Sequence, residues 1–136
     1  MNTALDPGAL AGAVLEVYES GDLSRVDELI SPDLVDHNQP AGTESGIDAV
    51  RVLVSAVKAG FSETRIEEIF RSLTTDGWVV SQWRMTGVHT GDWFGTPATG
   101  RRVSFTGIDL WRAEHGRMVE VRHAEDLFQL QAQLTA

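Results

Sequence analysis

The chain has 136 residues, 42% of them hydrophobic, and carries 20 acidic against 11 basic side chains for a net charge of −9. That length predicts one domain, 1–136, able to bury a real core. The acidic balance argues against nucleic acid and anionic membrane surfaces as partners, because both are bound through Lys and Arg. With no cysteine, disulfides, thiol catalysis and Cys-ligated zinc are excluded. No basic residue precedes Arg25, so no secretory signal is read, and no run approaches the ~20 apolar residues of a membrane span. The expectation is a cytoplasmic protein.

The first half reads helical. Leu10, Val14, Val17 and Tyr18 fall on one helix face, with Gly21 as the stop and Asp22 as the next cap. A short second helix carries Leu23, Val26, Leu29 and Ile30 and is expected to stop at Ser31-Pro32. The stretch DLVDHNQPAGTESG that follows reads as polar turn. A third helix presents Ile47, Val50, Leu53, Val54 and Val57 and ends at Gly60.

The second half reads as strands. TRIEEIFRSLTT pairs through Asp76-Gly77 with WVVSQWRMTGVH, and RVSFTGIDLWR pairs with RMVEVRHA through Glu114-His115-Gly116. A last helix begins near Asp126 and buries Leu127, Leu130 and Leu134. Helices followed by an antiparallel meander predict an α+β fold, with helices on one face of a curved antiparallel sheet and a pocket between.

Several chemistries find no motif. The four histidines, at 37, 89, 115 and 123, form neither an HxH nor an HExxH pair, so no metal site is expected. No Gly-rich phosphate loop and no serine nucleophile elbow occur.

Four stretches resemble the SnoaL-like polyketide cyclases of the NTF2-like superfamily: DHNQPAGTESGIDAVR, GVHTGDWFGTPATGRRVSFTGIDLWR, HGRMVEV and DLFQLQAQL. The resemblance covers roughly residues 8–134. It implies a cone-shaped α+β fold, a small hydrophobic substrate, ring closure by intramolecular aldol chemistry without metal or organic cofactor, and a homodimer paired through the outer sheet face. It also implies that Asp126 acts as acid/base. The residue pattern alone assigns Asp126 to capping the last helix, and the two roles are compatible.

The remaining candidates follow from chemistry and the same resemblance. Asp109 stands where the family's active cyclases can carry a His. It offers a second carboxylate that would spread the two pKa values, or it forms a salt bridge to Arg84, Arg112 or Arg122. His37 and Asn38 match cavity positions and can orient a carbonyl, unless the loop's own hydrogen bonds consume them. Arg122 and His123 face opposite sides of a regular strand, so at most one enters the cavity; Arg122 would hold a carboxylate or enolate oxygen. Glu125 reads as solvated surface. His89, Phe94, Trp83 and Phe105 are the expected substrate contacts, and Trp93 reads as rim, core or dimer contact.

The leading function is therefore a cofactor-free cyclase with catalytic Asp126, Asp109 and His37. The competing readings are epoxide opening by Asp126 with Asp109 and a non-catalytic binding module.

Overall fold

The computed structural model describes residues 5–136. Helix α1 (Pro7–Ser20) starts under an Asp6 cap and closes at Gly21 in the left-handed conformation. A 3-10 turn (Leu23–Arg25) leads into the single helical turn α2 (Val26–Leu29). Then come β1 (Ile30–Asp36), α3 (Gly46–Gly60), β2 (Phe61–Leu73), β3 (Trp78–His89), β4 (Arg102–Glu114), β5 (Arg117–Glu125) and α4 (Leu127–Leu134). Sequence periodicity and observed elements agree for α1, α3, α4 and the four long strands, and the fold is α+β as expected.

The stretch after α2 is a correction. Ile30 does not end a helix, and Ser31-Pro32 does not lead into turn; both lie inside β1, which runs to Asp36. β1 is an edge strand, which tolerates Pro32 because an outward position requires no N–H. It pairs in parallel with β5. The sheet is therefore mixed, in the order β1-β5-β4-β3-β2, with an antiparallel meander from β2 to β5. β2 also starts earlier than its apolar pattern suggests, at Phe61 directly after α3.

Both expected hairpins form. Gly77 adopts φ 90° in the β2–β3 turn. His115 (φ 50°) and Gly116 (φ 78°) make a two-residue β4–β5 turn, whose two positive φ values match the strand twist. Between Arg112 and Ala113 the β4–β5 register slips by one residue, a bulge that changes which β5 side chain each β4 residue meets.

Two apolar clusters hold the helices to the concave sheet face. One joins Leu10, Val14, Val17, Ile47, Val50 and Val54 to Val79, Trp111, Met118 and Val121. The other joins Val57, Phe61 and Leu130 to Met85, Val103 and Phe105. Tyr18 packs against both. The space they leave between them is the pocket. No helix among the described residues is long and apolar enough to cross a membrane.

Candidate active site

The pocket has a volume of about 560 Å³ and is walled mostly by apolar side chains from α1, α3, α4 and the concave sheet face. Strand register decides what forms its polar floor. Directly paired residues share a face, so three cross-strand rows point inward. The first is Val79, Trp111, Val121 and Asp36; the second is Ser81, Asp109 and His123; the third is Trp83, Gly107 and Glu125. Asp109 and His123 are direct neighbours across β4 and β5, which sets their β-carbons about 4.5–5.5 Å apart.

His123 is held on both ring nitrogens. Its Nε2 lies 3.0 and 3.1 Å from the two oxygens of Asp36, and its Nδ1 lies 2.6 Å from Glu125 Oε1. Its side chain is 10% exposed and that of Asp36 only 3%. Burial works against the charged ring, but the hydrogen bonds and charges of Asp36 and Glu125 outweigh it and push the imidazole up to about 10. A carboxylate facing each ring nitrogen favours the protonated ring over the neutral one.

Asp109 has the opposite surroundings. Burial raises its carboxyl to about 7, Glu125 adds to the rise, and the His123 cation and the Trp83 and Trp111 indoles pull against it. Trp83 Nε1 donates to Asp109 Oδ2 at 3.1 Å. The Trp83 ring lies across Gly107 so closely that a β-carbon there would strike it. Gly107 is thus what lets the indole reach Asp109. Phe105 meets Trp83 edge to face at 5.7 Å. Tyr18 also lines the pocket; burial and then the charges of Asp109, Glu125 and Asp36 raise its phenol, which stays protonated.

Pro40, Trp93, Phe94, Thr96, Leu127 and Gln131 complete the lining, with Phe94 and Leu127 exposed to solvent. Phe94 is 66% exposed and stacks edge-on to Trp93 at 4.7 Å. Gln133 fixes α4 by exchanging two side-chain hydrogen bonds with the Ser104 backbone, where β4 has run past the end of β5.

Asp109, Asn38, Trp83, Phe94 and Phe105 line the pocket as the sequence suggests. Asn38 accepts the His123 backbone N–H at 2.9 Å. Four expected residues sit elsewhere. Asp126 is exposed, caps α4 by accepting the Gln129 N–H at 2.9 Å, and is not part of the pocket wall. His37 points to the outer face and pairs with Glu120 at 2.6 Å. Arg122 is exposed over the Trp78 ring. His89 is fully buried behind the rim, where its Nδ1 accepts the Thr99 N–H.

Tyr18, Asp36 and Glu125 are the pocket residues that sequence reasoning missed. Tyr18 was visible only as a helix-core position, Glu125 as surface, and Asp36 lay in a segment read as turn. Of the pair Arg122 and His123, the inward one is His123.

An α+β fold whose sheet curves around an apolar pocket, with carboxyl groups and an imidazole on the floor, has the form of a small-molecule site. Comparison with known proteins makes the class specific. The SnoaL-like polyketide cyclase profile matches residues 9–134. The chain is 30% identical over 131 residues to the aklanonic acid methyl ester cyclase DnrD of Streptomyces peucetius, covering 93% of this chain and 86% of that one. It is 34% identical over 118 residues to the nogalonic acid methyl ester cyclase of Streptomyces nogalater, covering 83% and 85%. Among solved structures, TsrD from Streptomyces laurentii superposes with a TM-score of 0.81 at 25% identity, covering 96% of this chain and 97% of that one. IdmH from Streptomyces antibioticus does so at 0.81 and 27%, covering 97% and 100%. The chain belongs to the SnoaL-like polyketide cyclase family and is a cyclase of that family.

Proposed function

We propose that this cyclase closes a ring in a neutral polyketide ester by intramolecular aldol addition, with Asp109 as the acid/base. The observation that carries the reading is Asp109 itself: a carboxyl raised to about 7 by burial, beside a fixed cation. A base works best with a pKa near the operating pH. The Asp109 carboxylate takes a proton from a carbon between two carbonyls. The resulting enolate carbon attacks a ketone carbon of the same molecule and the C–C bond forms. The alkoxide then recovers the proton from Asp109, so the product is an isomer of the substrate and the step requires no redox partner.

The His123 imidazolium stabilises the developing oxyanion through space, and Tyr18 and Asn38 supply hydrogen-bond donors at the same end of the pocket. The charged pocket groups are Asp36, Asp109, His123 and Glu125, with no Lys or Arg in the wall. That balance repels a substrate bearing a free carboxylate, in keeping with relatives named for acting on methyl esters. In this reading Asp126 is a helix cap, and the acid/base role that family resemblance gave it passes to Asp109.

The test is Asp109→Asn, assayed by chromatography of the cyclised product from a polyketide methyl ester. A loss of about 10²–10⁴-fold in kcat is expected for a proton-transfer group. Activity within a few-fold of the parent overturns the reading. Glu125 raising Asp109 favours one second reading, epoxide opening with Asp109 as acid and Glu125 as base. Incorporation of ¹⁸O from labelled water into product separates hydrolytic opening from aldol closure.

The homodimer belongs to the same proposal. Phe70, Gln82, Ile108 and Ala124 form one row on the outer sheet face, where Phe70 is 54% and Ile108 42% exposed. Light scattering of the parent and of Phe70→Glu checks it: a dimer that the substitution dissociates is expected, and a monomeric parent contradicts it.

A further inference from the structure

The segment Asp36 to Asn38 wraps around His123. His37 N donates to Val121 O at 3.0 Å, and the His123 N–H reaches the Asn38 side chain. Asp36 turns inward and spans the imidazole Nε2 with both oxygens, while one of them also accepts the Asn38 N–H at 2.8 Å. We propose that Asp36 is a positioning residue: from the edge strand β1 it fixes His123 as an imidazolium donating from both nitrogens, a stationary cation beside Asp109 and not a proton shuttle. This deepens the Asp109 reading and rests on it for its catalytic consequence.

The geometry is specific. A neutral imidazole carries one N–H, so a ring between two carboxylates would leave one of them facing a lone pair. Asp36 is almost fully buried, and His123 is its ion-pair partner. Charge repulsion and lost hydrogen bonding both oppose the neutral ring. The titratable groups around the ring are Asp36 from β1, Asp109 from β4, Glu125 from β5 and Tyr18 from α1. The pocket residues of α3, β3 and α4 are Val50, Leu53, Val57, Trp83, Met85, Leu127, Leu130 and Gln131, none of them ionisable in this range. Asp36 and Glu125 thus decide the ring's charge between them.

The experiment is ¹⁵N NMR of the imidazole ring in the full chain, beside a pH profile of kcat/KM. In the parent protein both His123 nitrogens are expected to remain protonated through pH 8. Asp36→Asn is expected to lower the midpoint by about 1–3 pH units, the size of effect an adjacent opposite charge has. The alkaline limb of kcat/KM should move inward with it, whereas a purely structural role would lower the rate without moving that limb. A singly protonated ring at pH 7–8 in the parent overturns the proposal, as does an unchanged midpoint in Asp36→Asn. The parent spectrum decides even if that variant fails to fold. A doubly protonated ring together with an active Asp109→Asn would leave the clamp standing and remove the Asp109 reading, so the two fail separately.

Discussion

Two histidine–carboxylate pairs sit on opposite faces of the same two strands. Outside, His37 of the β1 end meets Glu120 of β5 at 2.6 Å. Inside, His123 of β5 meets Glu125 at the same 2.6 Å and Asp36 of β1 at 3.0 Å. Their consequences differ. The outer pair is joined by Arg112, which bonds Glu120 at 2.8 Å, and the His37 bond followed by Arg112 holds the Glu120 carboxyl below its usual value. The inner group has no arginine, is more enclosed and holds a third carboxyl, so Asp109 is raised towards neutrality while Asp36 and Glu125 favour the charged form of His123. Equal contact distances thus give a surface ion-pair network on one face and an enclosed group of carboxyls around an imidazole on the other. Desolvation and the count of charges separate them.

The comparison is broken most severely by paired substitutions. Asp109→Asn should abolish most turnover, whereas Glu120→Gln, one face away, should leave kcat within about 3-fold, because water screens a surface ion pair and leaves it little weight. Steady-state rates on one ester substrate check both. Comparable losses would mean that the outer network matters to catalysis.

Gly107→Ala comes next. The added methyl must displace Trp83 from Asp109. Overpacking of this kind costs about 1–3 kcal/mol, visible in urea unfolding, and activity should fall with it. Undiminished stability would show that the indole has room to move.

The pH responses sharpen the contrast. Glu125 raises Asp109, so Glu125→Gln should move the acid limb of kcat/KM downward; the Trp83 indole lowers it, so Trp83→Phe should move the limb upward. Shifts in the same direction would contradict the assignment. For stability, Asp109 binds a proton more tightly folded than unfolded. Its contribution is complete below about pH 4 and is lost as pH rises through about 7. His123 follows the same sign in a higher window, complete below about 6.5 and lost through about 10. Asp109→Asn should therefore flatten the pH dependence of unfolding free energy between about 4 and 7 while leaving the alkaline fall in place.

The smallest effect belongs to Asp126. Asp126→Ala removes a helix cap and should cost about 0.5–2 kcal/mol, read by thermal unfolding, with turnover within a few-fold. A catalytic collapse would restore the role that the family resemblance assigned it.

Much of this was legible beforehand, for physical reasons. The 3.6-residue stripes of α1 and α3 and the two positive-φ turns specify the helices and hairpins locally. Trp83 and Phe105 could be placed in the sheet by their strand propensity, and Asp109 near a cavity by the family resemblance. The pairing of Asp109 was not legible. Counting back from the His115-Gly116 turn in unbroken register sets Asp109 opposite Arg122. The bulge between Arg112 and Ala113 sets it opposite His123, and nothing in the local residues announces that slip. Asp36 was hidden by Pro32 and by the Asx-rich segment after it, which look like turn unless β5 is already there to pair with β1. Glu125 looked solvated because its burial depends on α1 and β4 closing over it, a tertiary fact.

In the proposed mechanism the inner carboxyl of Asp109, raised towards neutrality, performs the proton transfer. The most direct measurement is kcat/KM for ring closure of a polyketide methyl ester from pH 5 to 9. Activity is expected to rise through a midpoint near 7 and then hold a plateau as far as pH 9. A profile already flat from pH 5 upward would contradict it, because the group responsible would then be an ordinary carboxylate.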